Sequence, residues 1–503
     1  MVDRDAIRSN ALYLRSVRPI DPEEITEYVE GTPHPAVIRQ VLREEAVDLG
    51  LLEREDGTFV PVPDEPLSPA FHGVEAFPDR YAERLETLLV DRFGPAWYDG
   101  ESGDRLRARV RRIKESYLHG ARVEYDRESA LSYACYHLPG YYAAIQYVLD
   151  ELGSRGLLDR QLRVLDVGAG VGGPALGLID YAGREALIDY HAVEPGEAVD
   201  VLEALLSATG ETVRTTVHRS TAETFDPGRA IGNPESAGSG YDLILFANVL
   251  SELEEPVCVL ERYVTHLAED GALILLAPAD KNTSLGLREC ERALVDTGGG
   301  GDVSGDGLDV YAPTLRLWPH ERPTDECWSF DVRPDLAVPR FQRALDEGAR
   351  AEADGPDGRA PGDCDREPGD GEFVNVDVQY SYAIVRRDGI RRHEFRSNPR
   401  RYAKMADMQR HVTDRIDLAA VKLSHSLSEA ANANPVYRIG DGSESIAHFA
   451  VLARETSMNR DLQTAGYGDV LTFENVLVLW NDDEGAYNLV VDDGTIVERI
   501  PPE

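Results

Sequence analysis

Hydrophobic and polar positions follow different periods along the chain, and the changes of period mark its predicted elements. The run at residues 164–167, apolar except for Asp166, is typical of a strand that is buried on both faces. Three glycines follow at alternate positions, and apolar residues then resume from Pro174 as in a helix that packs on a sheet. Further buried strands are predicted at 190–194, 241–247 and 271–278. This order predicts an α/β fold with a doubly wound sheet, over residues 161–395.

The segments before this sheet are mostly helical. Residues 35–52 carry apolar side chains at helical spacing, and Asp56-Gly57 then separates two short strand-like runs, which is a strong hairpin signal. Helices followed by such a hairpin predict a winged-helix-like unit over residues 1–72. That unit would suit docking of nucleic acid or packing against protein equally well. Residues 73–160 are predicted to form a helical region, in which Tyr133 and Tyr141 are candidates to line a ligand pocket.

The segments after residue 280 change character. Two stretches rich in Gly, Asp and Pro, near 297–307 and 346–371, are predicted to be mobile inserts. Residues 374–387 alternate as an antiparallel strand that closes the sheet would. Residues 410–503 are predicted to form an OB-like barrel, with one short helix after the third strand. Its predicted strands are 419–427, 436–439, 445–453, 470–480, 486–491 and 495–500.

Charge and composition indicate the environment of the protein. Asp plus Glu number 91 against 52 Lys plus Arg, a net charge of −39 spread along all 503 residues. A uniformly acidic surface predicts a halophilic protein, because molar salt screens its self-repulsion. The five cysteines are widely spaced, which fits reduced thiols, and no signal peptide or membrane span is predicted. We therefore expect a cytoplasmic location and no membrane partner.

Two sets of residues are candidates for contact with nucleic acid. A basic run is conspicuous in so acidic a chain, and it contains Arg386, Arg387, Arg391 and Arg392, followed by Arg396, Arg400, Arg401 and Lys404. An exposed, solvated face explains this run as well as RNA does. The aromatic residues of the predicted barrel are candidate platforms for base stacking, namely Phe473, Trp480 and Tyr487, together with Phe449.

The glycine-rich segment after the first sheet strand is the strongest chemical signal. Glycine spacing alone fits a dinucleotide site, but Asp166 before the loop points to S-adenosylmethionine, since class I methyltransferases carry an acid there. Glu194 follows the next strand at an offset that lets a carboxylate accept both ribose hydroxyls. The predicted cofactor residues are Asp166, Gly168, Gly170, Gly172 and Glu194. A nicotinamide cofactor and a purely structural glycine turn are the alternatives.

Candidate substrate contacts follow the third buried strand. Asn248, Ser251 and Glu252 form a polar lip there, and capping of the next helix is an equal explanation for them. No Asn/Asp-Pro-Pro-aromatic motif follows this strand, so an amino-directed base methylase is unsupported. Cys258 lies too deep in the following helix to serve as the nucleophile of a pyrimidine-C5 methylase. The catalytic residues are therefore not predicted.

The order of motifs over residues 120–390 resembles one family, the Rsm-type methyltransferase-like proteins of the small ribosomal subunit from bacteria and mitochondria. The resemblance rests on residues 138–144 (LPGYYAA), 166–172, 248–253 (NVLSEL), 311–313 (YAP), 327–330 (CWSF) and 380–382 (YSY). It implies an S-adenosylmethionine cofactor and association with the small subunit or its precursor and with ribosomal RNA.

The chain departs from this family at its metal site. The family carries a cysteine-rich stretch after Ala-Pro, and its mitochondrial members are thought to bind an iron–sulfur cluster. Here only Cys327 falls in place, and a cubane cluster needs four thiolates, so we expect no such cluster. A zinc site that uses Cys327 and His320 stays open. No metal is therefore predicted.

Two functions of different class follow. One is an enzyme that methylates ribosomal RNA or a ribosomal protein. The other is a non-catalytic assembly factor that keeps the cofactor fold as a binding module. A small-molecule methyltransferase and an NAD-dependent enzyme fit the resemblance less well.

Overall fold

The computed structural model describes residues 3–118, 126–230, 240–297, 307–318, 323, 328–354, 371–428 and 432–502. Contacts divide the chain into two compact units. The first contains residues 1–247 and 334–378, and the second contains residues 248–333 and 379–503. The predicted insert near 297–307 lies almost wholly outside the described residues, and so do residues 355–370 of the second insert.

The N-terminal segment of the first unit is a small helical bundle with a hairpin. Ile20 forms a bridge with Phe59, which adds a third strand position to the hairpin. The helical spacing of residues 35–52 corresponds to two helices, which end at Glu44 and at Leu49, and Gly50 then adopts a left-handed φ of 61° before the strand begins. The elements are α1 (Arg4–Leu14), α2 (Pro22–Ile25), α3 (Pro35–Glu44), α4 (Ala46–Leu49), β1 (Leu51–Glu53) and β2 (Phe59–Pro61).

The centre of the first unit is a parallel sheet with the strand order β5-β4-β3-β6. All side chains of β4 are buried, as expected for a sheet covered on both faces. The strands alternate with helices, which confirms the predicted α/β class. The elements are α5 (Asp79–Phe93), α6 (Gly100–Leu118), α7 (Arg127–Gly153), β3 (Gln161–Val167), α8 (Gly173–Ala182), β4 (Leu187–Val193), α9 (Ala198–Leu206), β5 (Val213–His218), α10 (Pro227–Ala230) and β6 (Tyr241–Ala247).

The second unit begins with helices and antiparallel strands. After a 3₁₀ turn at Leu250–Glu252, its elements are α11 (Pro256–Val264), β7 (Leu267–Pro278), α12 (Lys281–Thr297), β8 (Asp309–Ala312) and β9 (Asp331–Arg333). The helix α13 (Arg340–Asp354) then belongs to the first unit, so the predicted insert from residue 346 overlaps a helix. Strand β10 (Val378–Arg386) pairs antiparallel with β7 and β8, which confirms an antiparallel strand in this region.

The remainder of the second unit is a closed five-stranded barrel. Its strands run in the order β11-β12-β13-β15-β14, and β14 returns to pair with β11. The pair β13–β15 is parallel, and one short helix lies between the third and fourth strands, as the sequence predicts. The elements are a 3₁₀ helix (Met405–His411), β11 (Arg415–Lys422), β12 (Val436–Gly440), β13 (His448–Leu452), α14 (Asp461–Thr464), β14 (Val470–Asn481), β15 (Ala486–Val491) and β16 (Ile496–Arg499).

Two further findings concern membrane-spanning helices and the state of the cysteines. None of the helices in the described ranges combines the length and the apolar character that crossing a bilayer requires. Cys135, Cys258 and Cys290 are free thiols. The four-part division of the chain into 1–72, 73–160, 161–395 and 410–503 stays a prediction.

Candidate functional site

The loop between β3 and α8 has a backbone that favours glycine. Gly168, Gly170 and Gly172 have φ values of 72°, 53° and 91°, in the left-handed region that side chains disfavour. A Cβ atom at Gly172 would lie 2.6 Å from Leu202 Cδ1, whereas one at Gly170 would meet only the Gly168 carbonyl, at 3.9 Å. The loop therefore leaves no space for a side chain at Gly172, whereas there is open space next to Gly170, where a ligand can approach the backbone.

Glu194 ties this loop to the end of β4. One carboxylate oxygen accepts the amide N–H of Gly170 at 3.0 Å, and the other accepts that of Gly196 at 3.0 Å. The side chain is buried, and this burial raises the pKa of Glu194 above its ordinary value. Two carboxylate oxygens offer about four lone-pair sites, so Glu194 keeps capacity to accept ligand hydroxyls.

Asp166 is the least satisfied polar group at this site. It is fully buried, and the phenol of Tyr190 donates to its Oδ2 at 2.5 Å. Within the described residues its Oδ1 has no hydrogen-bond partner. Burial, aided by the nearby negative charge of Glu194, raises the pKa of Asp166 to about 7. A buried acceptor without a donor is costly, and a ligand amine would satisfy it.

The aromatic segment of α7 borders the same loop. A Cβ atom at Gly173, the first residue of α8, would lie 3.1 Å from the Cβ of Tyr141. Tyr141 is half-buried and stacks on His137, with ring centroids 5.7 Å apart and planes 8° apart. Tyr133 is buried within the same stack. Of the two tyrosines predicted from the sequence, Tyr141 therefore lies beside the start of α8, directly after the loop.

These residues fit S-adenosylmethionine. The N-terminus of α8 has no side-chain cap, so its first-turn amides face the loop without a competing side chain. Asp166 offers a buried acceptor for an amine, and Glu194 offers acceptors for hydroxyls. Among the described residues, no group of three or more His, Cys, Asp or Glu could hold a metal ion. The proposed zinc ligands Cys327 and His320 lie outside the described residues.

The residues of the polar lip stand at the start of the second unit in the chain. Asn248 has a left-handed φ of 60°, its amide donates to the Leu276 carbonyl at 2.8 Å, and its Oδ1 is buried with no partner in the described part of the chain. Ser251 is exposed and Glu252 is half-buried. Within the described residues, neither the 3₁₀ turn nor α11 has a side-chain hydrogen bond at its N-cap, so capping gives no account of Asn248. Strain together with an orphaned acceptor makes Asn248 the strongest of the three candidates for substrate contact.

The arginines nearest to β10 are engaged within the protein. Arg386 is buried and donates to the Asp388 carboxylate and to the Asp270 carbonyl, which removes it as a phosphate contact. Arg391 forms an ion pair with Asp309, and Arg392 lies 3.6 Å from a carboxylate oxygen of Asp469. Arg387 is exposed, and its guanidinium donates to the Leu267 carbonyl at 3.3 Å.

The three aromatic candidates of the barrel have different environments. Phe473 lies fully inside the barrel core, so its prediction as a stacking platform is wrong. Tyr487 is also in this core and is 7% exposed. Trp480 is 39% exposed, and its indole N–H donates to Asp482 at 2.8 Å. Phe473 lies in the buried part of β14, whereas Trp480 is exposed near the C-terminal end of the strand, beyond the buried Val478, and a list of aromatic residues could not distinguish these positions.

Sequence reasoning missed the partners that complete these sites. The sequence predicts a buried strand that contains Tyr190. It does not predict the hydrogen bond from Tyr190 to Asp166, although residues of adjacent parallel strands often meet. The left-handed conformation of Asn248 leaves no signal in the sequence beyond the tolerance of Asn for it.

Two family models match the chain, and both describe domains of unknown function. The Domain of unknown function (DUF8157) C-terminal domain matches residues 406–500, which include the barrel. The Domain of unknown function (DUF8157) N-terminal domain matches residues 4–55. The glycine loop lies outside both matches. No curated protein matches the chain.

Solved structures similar to this chain include several methyltransferases. A SAM dependent methyltransferase from Aquifex aeolicus is 22% identical, with a TM-score of 0.21, over 27% of this chain and 65% of that one. The plantazolicin methyltransferase BpumL, solved with SAH, is 13% identical, with a TM-score of 0.28, over 61% of this chain and 99% of that one. The O-methyltransferase NcsB1 from neocarzinostatin biosynthesis, solved with S-adenosylmethionine, is 15% identical, with a TM-score of 0.26, over 61% and 91%. Because these TM-scores are low, the prediction of a cofactor depends on the residues of the glycine loop and not on these similarities.

Proposed function

We propose that the protein is an S-adenosylmethionine-dependent methyltransferase. The single observation that carries the proposal is the buried Asp166, whose Oδ1 has no partner within the described residues, at the start of an open glycine loop that Glu194 holds in place. A purely structural glycine turn would not need an unsatisfied carboxylate oxygen. A nicotinamide cofactor would use Glu194 but gives no role to Asp166.

Asp166 and Glu194 of the first unit would bind different parts of the cofactor. Asp166 accepts from the amino group of the methionine part, and Glu194 accepts from the ribose hydroxyls. The cofactor supplies an electrophilic methyl group on a sulfonium. Transfer of that group depends mainly on alignment of the acceptor atom, so positioning contributes much of the rate acceleration. We also propose Asn248 of the polar lip as a contact of the methyl acceptor.

We propose ribosomal RNA or a ribosomal protein of the small subunit as the substrate. The support is the resemblance of residues 120–390 to the Rsm-type family, together with the closed barrel that follows. An assembly factor that binds the cofactor without methyl transfer is the alternative, and the exposed tryptophan of the barrel suits both. Mapping of methyl groups on both ribosomal RNA and ribosomal proteins in a deletion strain separates the two, because a methyl group disappears only if the protein is an enzyme.

Calorimetric titration with S-adenosylmethionine tests the cofactor assignment. We expect the wild-type chain to bind and Glu194→Ala to weaken binding by about 1–3 kcal/mol, the cost of losing a charged hydrogen-bond acceptor. Glu185→Ala is the matched control, since that side chain is 78% exposed and pairs only with Arg160 in the described structure. Preferential binding of NAD would overturn the proposal.

A further inference from the structure

A cleft in the second unit lies outside both the glycine loop and the polar lip. Its volume is about 740 Å³, within the range of sites that hold small molecules or single nucleotides. One wall belongs to β11, the first strand of the barrel. The lining includes two aromatic and several cationic side chains, namely Trp318, Arg400, Arg401, Tyr402, Lys404 and Arg410.

The charge of this cleft is opposite to that of the chain. Four cationic side chains line it against the two carboxylates Asp407 and Asp417, whereas acids outnumber bases by 91 to 52 in the whole sequence. Like charges gathered around one cavity repel each other, so their grouping costs free energy unless an anion is bound. The local reversal of charge therefore points to an anionic ligand.

The three arginines of the cleft are available to such a ligand. Arg400 is exposed, and although its backbone amide donates to Asn398 Oδ1 at 3.0 Å, its guanidinium has no partner in the described part of the structure. Arg410 lies 3.4 Å from Asp407, and Arg401 lies 2.8 Å from Glu474, with every partner in both pairs at least 40% exposed. Exposed ion pairs of this kind contribute about 0–1 kcal/mol each. A phosphate can therefore replace their carboxylate partners at little cost.

Hydrogen bonds and apolar packing hold Trp318, which lines the cleft, in place without a ligand. The Trp318 indole N–H donates to Asp441 at 2.7 Å, and the same carboxylate oxygen accepts the Met405 amide at 2.9 Å. Trp318 and Tyr402 also pack in one apolar cluster with strand residues of the barrel. Lys404 Nζ lies 5.7 Å from the centroid of the Trp318 ring. A preformed site loses less entropy when it binds.

We propose that this cleft binds the phosphodiester backbone of single-stranded RNA. The inference rests on the proposed action on ribosomal RNA, and it moves the phosphate contacts from Arg386 and its neighbours to Arg400 and Arg410. Because β11 forms both a wall of the cleft and a strand of the barrel, RNA held here would run beside the barrel surface. A free mononucleotide offers the same phosphate ester and is the other source of this chemistry.

The test measures RNA affinity across a series of KCl concentrations, with the full chain and a fluorescent oligouridylate of about 12 nucleotides, within the usual site size of such barrels. The slope of log affinity against log salt is about −0.7 per neutralised phosphate. We expect Arg400→Ala with Arg410→Ala to lower the magnitude of the slope by about 1.4, and Arg400→Glu to weaken binding further. Arg454→Ala is the control, because its side chain is 70% exposed on the same barrel and pairs with Asp493 outside the cleft.

Several outcomes would overturn the proposal. An unchanged slope in the double variant would show that the cleft holds no phosphate of the RNA. Loss of adenosine monophosphate binding in the double variant, with RNA binding unaffected, would identify a mononucleotide site instead. Calorimetry with S-adenosylmethionine on the same variants should match the wild type. Failure of the wild type to bind that cofactor would overturn the methyltransferase proposal while leaving the cleft result intact.

Discussion

Single residues at the candidate site combine burial with unfinished hydrogen bonding. Asp166 and Asn248 each keep a buried oxygen without a partner among the described residues, and Asn248 adds a left-handed backbone. Side-chain polar groups in protein interiors are usually paired, so each of these exceptions requires an explanation. Both residues could be predicted as candidates from their positions, Asp166 near the end of one buried strand and Asn248 directly after another. Their lack of partners could not, because it depends on the surrounding packing.

Replacement of Asp166 should stabilise the ligand-free protein. Its folded pKa of about 7 lies above the value near 4 of an unfolded Asp, so its native carboxyl keeps a proton that the unfolded chain loses. Its contribution to stability is therefore present at low pH and lost as the pH rises from about 4 to about 7. We expect Asp166→Asn to raise the free energy of unfolding at pH 8 by about 1–3 kcal/mol, and to weaken S-adenosylmethionine binding.

Denaturant unfolding at pH 5 and pH 8 measures this effect. The control is Asp226→Asn, since that carboxylate is 55% exposed and should change stability by less than about 0.5 kcal/mol. Lower stability of Asp166→Asn at pH 8 would show that the carboxylate is a structural group and would remove the main support for the cofactor assignment.

At the scale of elements, local patterns predicted most of the strands. β15 begins and ends where the alternation of its residues predicts, and β14 extends one residue beyond its predicted end. β11 differs most from its prediction, since it starts at Arg415 rather than 419 and ends at Lys422 rather than 427. Its N-terminal half pairs with the distant β14, and that pairing extends the strand into polar residues. Long-range pairing of this kind is invisible to a local pattern.

The barrel strand β14 allows a test of stacking against packing. Phe473→Ala should destabilise the protein by about 3–5 kcal/mol, because the ring is fully buried in the core. Trp480→Ala should cost much less stability but weaken RNA binding by about 1–3 kcal/mol, since an exposed ring can stack on a base. Leu479→Ala is the control, because it removes a side chain of similar exposure, 38%, that has no ring. Equal RNA binding by the Trp480 and Leu479 variants would exclude stacking at this position.

At the scale of the whole molecule, the excess of acidic residues determines the salt concentration at which these assays should be carried out. The structure pairs many arginines with carboxylates, as in the contacts of Arg214 with Asp189 and Asp48, yet a net charge of −39 remains. Salt weakens exposed ion pairs, each contributing about 0–1 kcal/mol, and it also screens the repulsion among the unpaired acids. With 39 excess negative charges, we expect the loss of repulsion to outweigh the loss of pairs.

Thermal stability should therefore rise with salt. At about 1 M KCl the Debye length falls to about 3 Å, so charges on separate parts of the surface no longer repel. Scanning calorimetry in a KCl series should show the first unfolding transition moving upward, by roughly 2–4 °C for each kcal/mol gained. The same series near pH 5 should show a smaller rise, because carboxylates that begin to take up protons leave less repulsion to screen. A transition temperature that falls with KCl at pH 8 would show that ion pairs dominate, and would contradict the halophilic interpretation of the acidic surface.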